Sequence, residues 1–315
     1  MALLLTRNDA LSANPPAGVD ETLSVHGSEW LWAVTAIYIV AFLGLLCFCF
    51  ASHESRRVFH YTFTVALLVG AVTYYAQASD LGWSAVQQAD NAGNGLVRQV
   101  FYAKYINWSI SFPAVVLALG LLSGVSWTTI ICNIFIAWLW VLTYLAAAYT
   151  TTNYKWGFFA FGTFSWVILA MSTLNESREE AARLGIGRDY VILAAWPNML
   201  WLLYPVAFGL SDGGYVIGVT GSAIFFGVLD VLMVPVLCFA FLILGRKWDW
   251  ARLNLAFSEY RGSGHGRIPL EKEPVIAQGV KIWLIDFCIN GYDSSEMKLS
   301  PEELASLLGR VERDD

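Results

Sequence analysis

The sequence predicts an all-α protein, a bundle of seven membrane-spanning helices with the N-terminus outside the cell and the C-terminus in the cytoplasm. Three observations predict it. The 315-residue chain is 57% hydrophobic and only 14% charged, with a mean hydropathy of +0.54, a balance foreign to soluble domains. Apolar segments near the roughly 20 residues that a bilayer-crossing helix needs recur seven times. Basic residues close to the segment ends also gather on one side, which marks the cytoplasmic face.

Residues 1–27 contain Pro15, Pro16, Gly18 and Asp20 and read as a mostly irregular extracellular tail. Residues 28–245 form the transmembrane domain, with spans expected near 29–50, 59–79, 101–123, 126–149, 155–174, 190–211 and 216–244. Most connections are short. The stretch 79–103 is long, with Gly and Asn at its centre, and the charged stretch 175–189 can extend its flanking helices into water. One side collects Arg56, Arg57, Arg178, Arg183, Arg188, Arg246, Lys247 and Arg252, against mainly Arg98 and Lys155 opposite. Residues 246–315 read as a cytoplasmic tail, partly irregular. A short helix near 301–309 opens on Ser300–Pro301–Glu302–Glu303, because the serine caps free N–H groups and the acids face the positive helix end.

Several function classes fall away. The net charge of −6 is mild and no basic stripe suggests nucleic acid. Cys47, Cys49, Cys132, Cys238 and Cys288 show no CxxC spacing, and the four histidines have no ligand spacing, so neither a disulfide framework nor a metal site is expected. His53 and His60, near Arg56 and Arg57, read as ordinary solvated loop residues rather than a pH sensor. No nucleophile–base pair supports catalysis.

The chemistry concentrates in the last span. Residues 221–244 are long and apolar and carry one carboxylate, Asp230. An ionisable group at mid-membrane costs roughly 2.5–3.5 kcal/mol, so a function or a buried pairing is expected for it.

Motifs elsewhere carry a resemblance. The third span reads Lys104–Tyr105–Ile106–Asn107–Trp108, then Ser111 and Pro113. The sixth reads Trp201–Leu202–Leu203–Tyr204–Pro205, the fifth opens Lys155–Trp156–Gly157, and the seventh holds Leu229–Asp230. In order and register these resemble the microbial rhodopsins, most closely their fungal branch, over about 29–245. The resemblance implies a retinal pocket lined by Trp108, Ser111, Trp201, Tyr204, Pro205 and Phe208. It also implies a counterion site of Asp230, Lys104, Asn107, Tyr75 and Tyr204, with Tyr75 facing the pocket and Lys104 in the family's arginine position.

The departures are specific. The position of the retinal-binding lysine holds Val234, and a valine cannot form the imine that attaches the chromophore. The family's proton acceptor and donor positions hold Asn107 and Ala118, neither of which titrates, and Ser222 stands where a pump can carry a release-site Glu. The resemblance therefore implies an opsin-related plasma-membrane protein tied to stress responses and proton or pH homeostasis. No covalent cofactor is expected; retinal or another apolar ligand held non-covalently is the alternative if the pocket survives. The expected partners are the lipid bilayer and a membrane protein, a plasma-membrane proton pump among the candidates, with oligomers allowed.

Three roles stay open for Asp230: a hydrogen-bonded anchor for helix packing, a proton- or ion-responsive group, and a polar anchor for a ligand. Lys104 either supplies its counter-charge or snorkels outward. Asn107, Ser111 and Asn198 are expected as interhelical hydrogen-bond partners. Pro113, Pro205 and Pro235 are expected to kink their helices. Trp108, Trp201, Tyr204 and Phe208 either keep the pocket open or pack on one another and fill it. A photoreceptor or light-driven ion transporter, and a passive proton path through Lys104, Asn107 and Asp230, remain the competing functions.

Overall fold

The computed structural model describes residues 8–51, 57–89, 96–248 and 253. Within them run seven helices long and apolar enough to cross a membrane. These are α1 (Val25–Ala51), α2 (Val58–Ala78), α3 (Tyr102–Ser123), α4 (Trp127–Tyr149), α5 (Lys155–Arg183), α6 (Gly187–Gly213) and α7 (Val219–Gly245). The expected spans match within a few residues. The charged stretch after α5 does extend both flanking helices, leaving only residues 184–186 between them. Consecutive helices are neighbours, α7 returns to α1, and α3 is the most enclosed of the seven.

Small residues let the helices approach, since lipid supplies no hydrophobic force between them. Gly70 of α2 shows this: a Cβ there would lie 2.1 Å from the Tyr38 ring of α1. α3 ends at Gly124, whose φ of 74° suits a residue without a side chain and lets its N–H reach the Gly120 carbonyl at 3.1 Å.

The stretch 79–103, expected as a loop, contains a hairpin. β1 (Trp83–Gln87) pairs antiparallel with β2 (Val97–Phe101), setting Ala85 opposite Gln99. Five-residue strands hold too little alternation to be told from loop by pattern alone. The N-terminal tail is also more ordered than expected. It has a helical turn at Ala10–Ala13, and Glu21 bridges Arg98 in parallel, with the Asp20 and Glu21 N–H groups donating to the Val97 carbonyl at 2.8 and 3.1 Å.

α5, α6 and α7 each contain one wide π-type turn, at Ser172–Glu176, Gly209–Gly213 and Leu232–Val236. The last has a visible cause. Pro235 has no N–H to continue the ladder to the carbonyl one turn back, and in the same turn the Leu232 carbonyl accepts a hydrogen bond from Trp196 Nε1 of α6 at 2.9 Å. The tail beyond residue 253 with its expected helix near 301–309, and also His53, Arg56, Arg252, His265 and Cys288, lie outside the described residues.

Candidate functional site

Asp230 is 2% exposed, and its carboxylate is saturated by donors from three other helices. Tyr204 of α6 donates to Oδ1 at 2.5 Å. Tyr74 of α2 and Asn107 Nδ2 of α3 donate to Oδ2 at 2.6 and 3.0 Å. Trp108 Nε1 of α3 lies 3.0 Å from Oδ1 and 3.1 Å from Oδ2. A fourth helix joins through the backbone, where Tyr38 of α1 donates to the Asp230 carbonyl at 2.9 Å. All of these donors are neutral.

Two sequence expectations are overturned here. Tyr75 does not face the interior: it is 53% exposed and meets Trp32 edge-on, with ring centroids 5.4 Å apart. Its neighbour Tyr74 makes the contact instead. One residue turns a helix by about 100°, and Tyr74 shares the face of buried Phe63, Leu67, Gly70 and Ala78, whereas Tyr75 shares that of exposed Leu68 and Val72. The burial phase of α2 was the signal available for the correct choice.

Lys104 does not pair with Asp230 and does not snorkel. It is 5% exposed, and its ammonium is bonded to the carboxylate of Asp212 in α6. Lys104 lies one turn before Asn107, so its side chain serves the hairpin end of the bundle rather than mid-membrane. Asp212 also accepts from Tyr105 at 2.8 Å, and Arg98 Nε stands 3.8 Å away. The sequence gives Asp212 no mark; in Ser211–Asp212–Gly213–Gly214 it reads as an ordinary turn residue.

The other basic residues of this end are interior too. Arg98 and Lys155 are each 1% exposed and lie 5.9 and 4.1 Å from the Tyr215 ring centroid. Tyr215 holds a φ of 57°, a conformation that costs a residue with a Cβ on the order of 1–2 kcal/mol; its place between two cations offsets that cost. Outside the spans, Asp80 is buried in the turn before β1 and accepts from Gln99 Nε2 at 2.5 Å. Burial holds its carboxyl above the ordinary value, and the Gln99 hydrogen bond only partly counters that.

The aromatic residues expected to line a pocket pack on one another. Trp108 meets Tyr204 edge-on with centroids 5.4 Å apart, and Phe208 lies 4.6 Å from Tyr144. Phe112, which the sequence did not single out, stands at the centre. Its ring contacts Trp108, Trp140, Trp201 and Tyr204 at 4.9–6.0 Å. Ser111, Pro113, Pro205 and Ala118 are buried in the same helices. Val234 is 1% exposed and sits in the wide turn of α7, followed by Pro235. Asn107 bridges α3 to α7, and Asn198 of α6 donates to Thr173 Oγ1 of α5 at 3.0 Å. Among the described residues no three His, Cys, Asp or Glu side chains converge as metal ligands.

Comparison with known proteins agrees with this architecture. A family model described as "Bacteriorhodopsin-like protein" matches residues 28–249. The opsin-like protein carO of Fusarium fujikuroi is 33% identical over 263 residues, covering 80% of this chain and 86% of its own. The 30 kDa heat shock protein of Saccharomyces cerevisiae is 29% identical over 280 residues, covering 81% and 83%. The crystal structure of the light-driven proton pump LR (Mac) from Leptosphaeria maculans superposes with a TM-score of 0.67 at 30% identity, covering 72% of this chain and 96% of that one. With its seven spans and matching family model, the chain belongs to the bacteriorhodopsin-like family, as a multi-pass membrane protein of the fungal opsin kind.

Proposed function

We propose that this protein is a non-photochemical member of its family, a regulatory or accessory component of the plasma membrane that serves stress responses and proton or pH homeostasis. It has its N-terminus outside and forms no covalent retinal pigment. The observation that carries this reading is the pair Asp230 and Val234. One turn beyond the carboxylate, where a Schiff-base lysine would stand, the chain has a buried aliphatic side chain, and α7 holds no lysine. Asp230 is engaged by neutral donors and ties helices together, which supports its reading as a packing anchor. The ring contacts around Phe112 support a filled pocket. The family is one of ion pumps and photoreceptors rather than enzymes, and one relative is named as a heat shock protein.

The test is a difference spectrum after adding all-trans retinal to the purified protein and to Val234→Lys with Asn107→Asp. A flat spectrum for the unmodified protein and a wash-resistant visible band for the double variant are expected. A wash-resistant band from the unmodified protein would overturn the reading in favour of a retinal photoreceptor or light-driven transporter, the activity named for the Leptosphaeria relative. Affinity purification from native membranes then tests the accessory role, with a stable membrane-protein partner as the expected result. Liposome proton flux that depends on Asp230 would instead favour a passive path.

A further inference from the structure

The end of the bundle opposite the hairpin has a cleft between the start of α6 and the end of α7. It opens to the surface and has a volume of about 280 Å³, close to the lower bound of about 300 Å³ for small-molecule sites. Its walls are apolar: Leu184 and Ile186 from the turn between α5 and α6, and Trp248 and Leu253 from beyond α7. Trp248 fixes the shape. It is 7% exposed and stands edge-on to Phe59 of α2 and Phe241 of α7, with centroids 6.0 and 6.2 Å apart. Its Nε1 donates to Asp189 Oδ2 at 2.9 Å.

Two exposed cations line the same cleft, Arg188 in the first turn of α6 and Lys247 just beyond α7. Among the described residues neither makes an ion pair, whereas Arg183 nearby in α5 is held by Glu180 at 2.7 Å. The one carboxylate among the lining residues, Asp189, is already engaged. It accepts from the Trp248 indole and lies in the first turn of α6, where the helix dipole favours it. Two cations without partners against one engaged carboxylate leave the cleft positive. The start of α6 also has no side-chain cap, so its first N–H groups add to that field.

An anion is the occupant this charge fits, and the place in the bundle selects its source. The spans end here, at the level where headgroups meet acyl chains and where an indole with an apolar body and a polar tip settles. Basic clefts between spans at this level take anionic lipid headgroups. A free phosphate would leave Leu184, Ile186 and Leu253 uncovered, whereas the glycerol and first methylenes of a lipid would cover them. We propose that this cleft holds the phosphate of an anionic phospholipid, with Arg188 and Lys247 as its ligands. Only the choice of leaflet, the inner one, rests on the orientation proposed above.

The test uses the full chain in nanodiscs of phosphatidylcholine containing a small fraction of phosphatidylinositol, with retained lipids identified by native mass spectrometry. Phosphatidylinositol is expected to be retained over phosphatidylcholine, whose choline ammonium would face the two cations. Arg188→Gln and Lys247→Gln should each weaken retention about fivefold, and Arg183→Gln, outside the cleft, should leave it unchanged. All three side chains are exposed, so unshifted melting midpoints are expected. Lys247→Arg, which keeps the charge, should still retain the lipid and serves if the Gln variant does not fold. No preference between the two lipids, or an equal loss in Arg183→Gln, would overturn the proposal. Displacement of the lipid by inorganic phosphate would overturn it in favour of a free anion. A carbodiimide crosslink from Lys247 to an acidic residue beyond 253 in place of the lipid would overturn it in favour of the chain's own tail. Nanodiscs expose both leaflets, so a wrong orientation would leave these results unchanged.

Discussion

Removing one hydroxyl tests which tyrosine the interior uses. Tyr74→Phe deletes the 2.6 Å hydrogen bond to Asp230 Oδ2 and keeps the ring, so its stacking on Tyr38 with centroids 5.3 Å apart survives. Asp230 retains Tyr204, Asn107 and Trp108. A hydrogen bond to a charged group contributes about 1.5–3 kcal/mol in water-soluble proteins. Interhelical bonds within membranes average about 0.6 and reach about 1.7 kcal/mol, because the unfolded chain in the bilayer also finds partners. A short bond to a carboxylate belongs at the upper end of the membrane range, so a loss of about 1–2 kcal/mol is expected. At 1.4 kcal/mol per factor of ten, that is a roughly five- to thirtyfold shift in the folding constant. Tyr75→Phe removes a hydroxyl from an exposed ring that touches Trp32 and should change stability by less than about 0.5 kcal/mol. Equilibrium unfolding in mixed micelles with increasing SDS, followed by circular dichroism, measures both. A Tyr75→Phe cost equal to or above that of Tyr74→Phe would refute the register of α2 and the four-donor site built on it.

Three further outcomes follow from the same contacts. Asp212→Asn leaves Lys104 and Arg98 in the interior without their shared carboxylate and should destabilise by about 3–5 kcal/mol. Adding Lys104→Met in that background should recover part of the loss in the same unfolding assay. Gly70→Ala sets a Cβ 2.1 Å from the Tyr38 ring; the displaced ring and the strained bond to the Asp230 carbonyl should cost about 1–3 kcal/mol, and a neutral result would show that Tyr38 moves freely. Asp80 has its carboxyl raised by burial, so the folded state holds this proton more tightly than the unfolded chain. Its contribution to stability is therefore full below the unfolded value of 3.8 and lost as pH rises through the folded one. Asp80→Asn should accordingly raise the melting midpoint at neutral pH and make no difference at the acid end of a pH series.

The sequence alone carries the seven spans, because length and apolarity are local properties that a bilayer requires of every crossing helix. It also carries the chemistry at two decisive positions. Asp230 and Val234 are fixed by identity, and the motifs around Lys104 and Trp201 place them in register before any coordinate is known. Side-chain partners were less legible. Tyr74 and Tyr75 differ by one step in sequence and by about 100° around α2, so an uncertainty of one residue exchanges an interior donor for a surface ring. Asp212 and Lys104 are 108 positions apart, and nothing local announces that the end of α6 will meet the start of α3. Arg98 and Lys155 read only as basic residues near the segment ends, because the hairpin and Tyr215 that enclose them meet only when separate parts of the chain come together. The spans, and a seventh helix with valine at 234 and no lysine, were decided by sequence. Which carboxylate answers which cation was decided by the tertiary structure, because burial and charge pairing belong to the assembled bundle and to no segment within it.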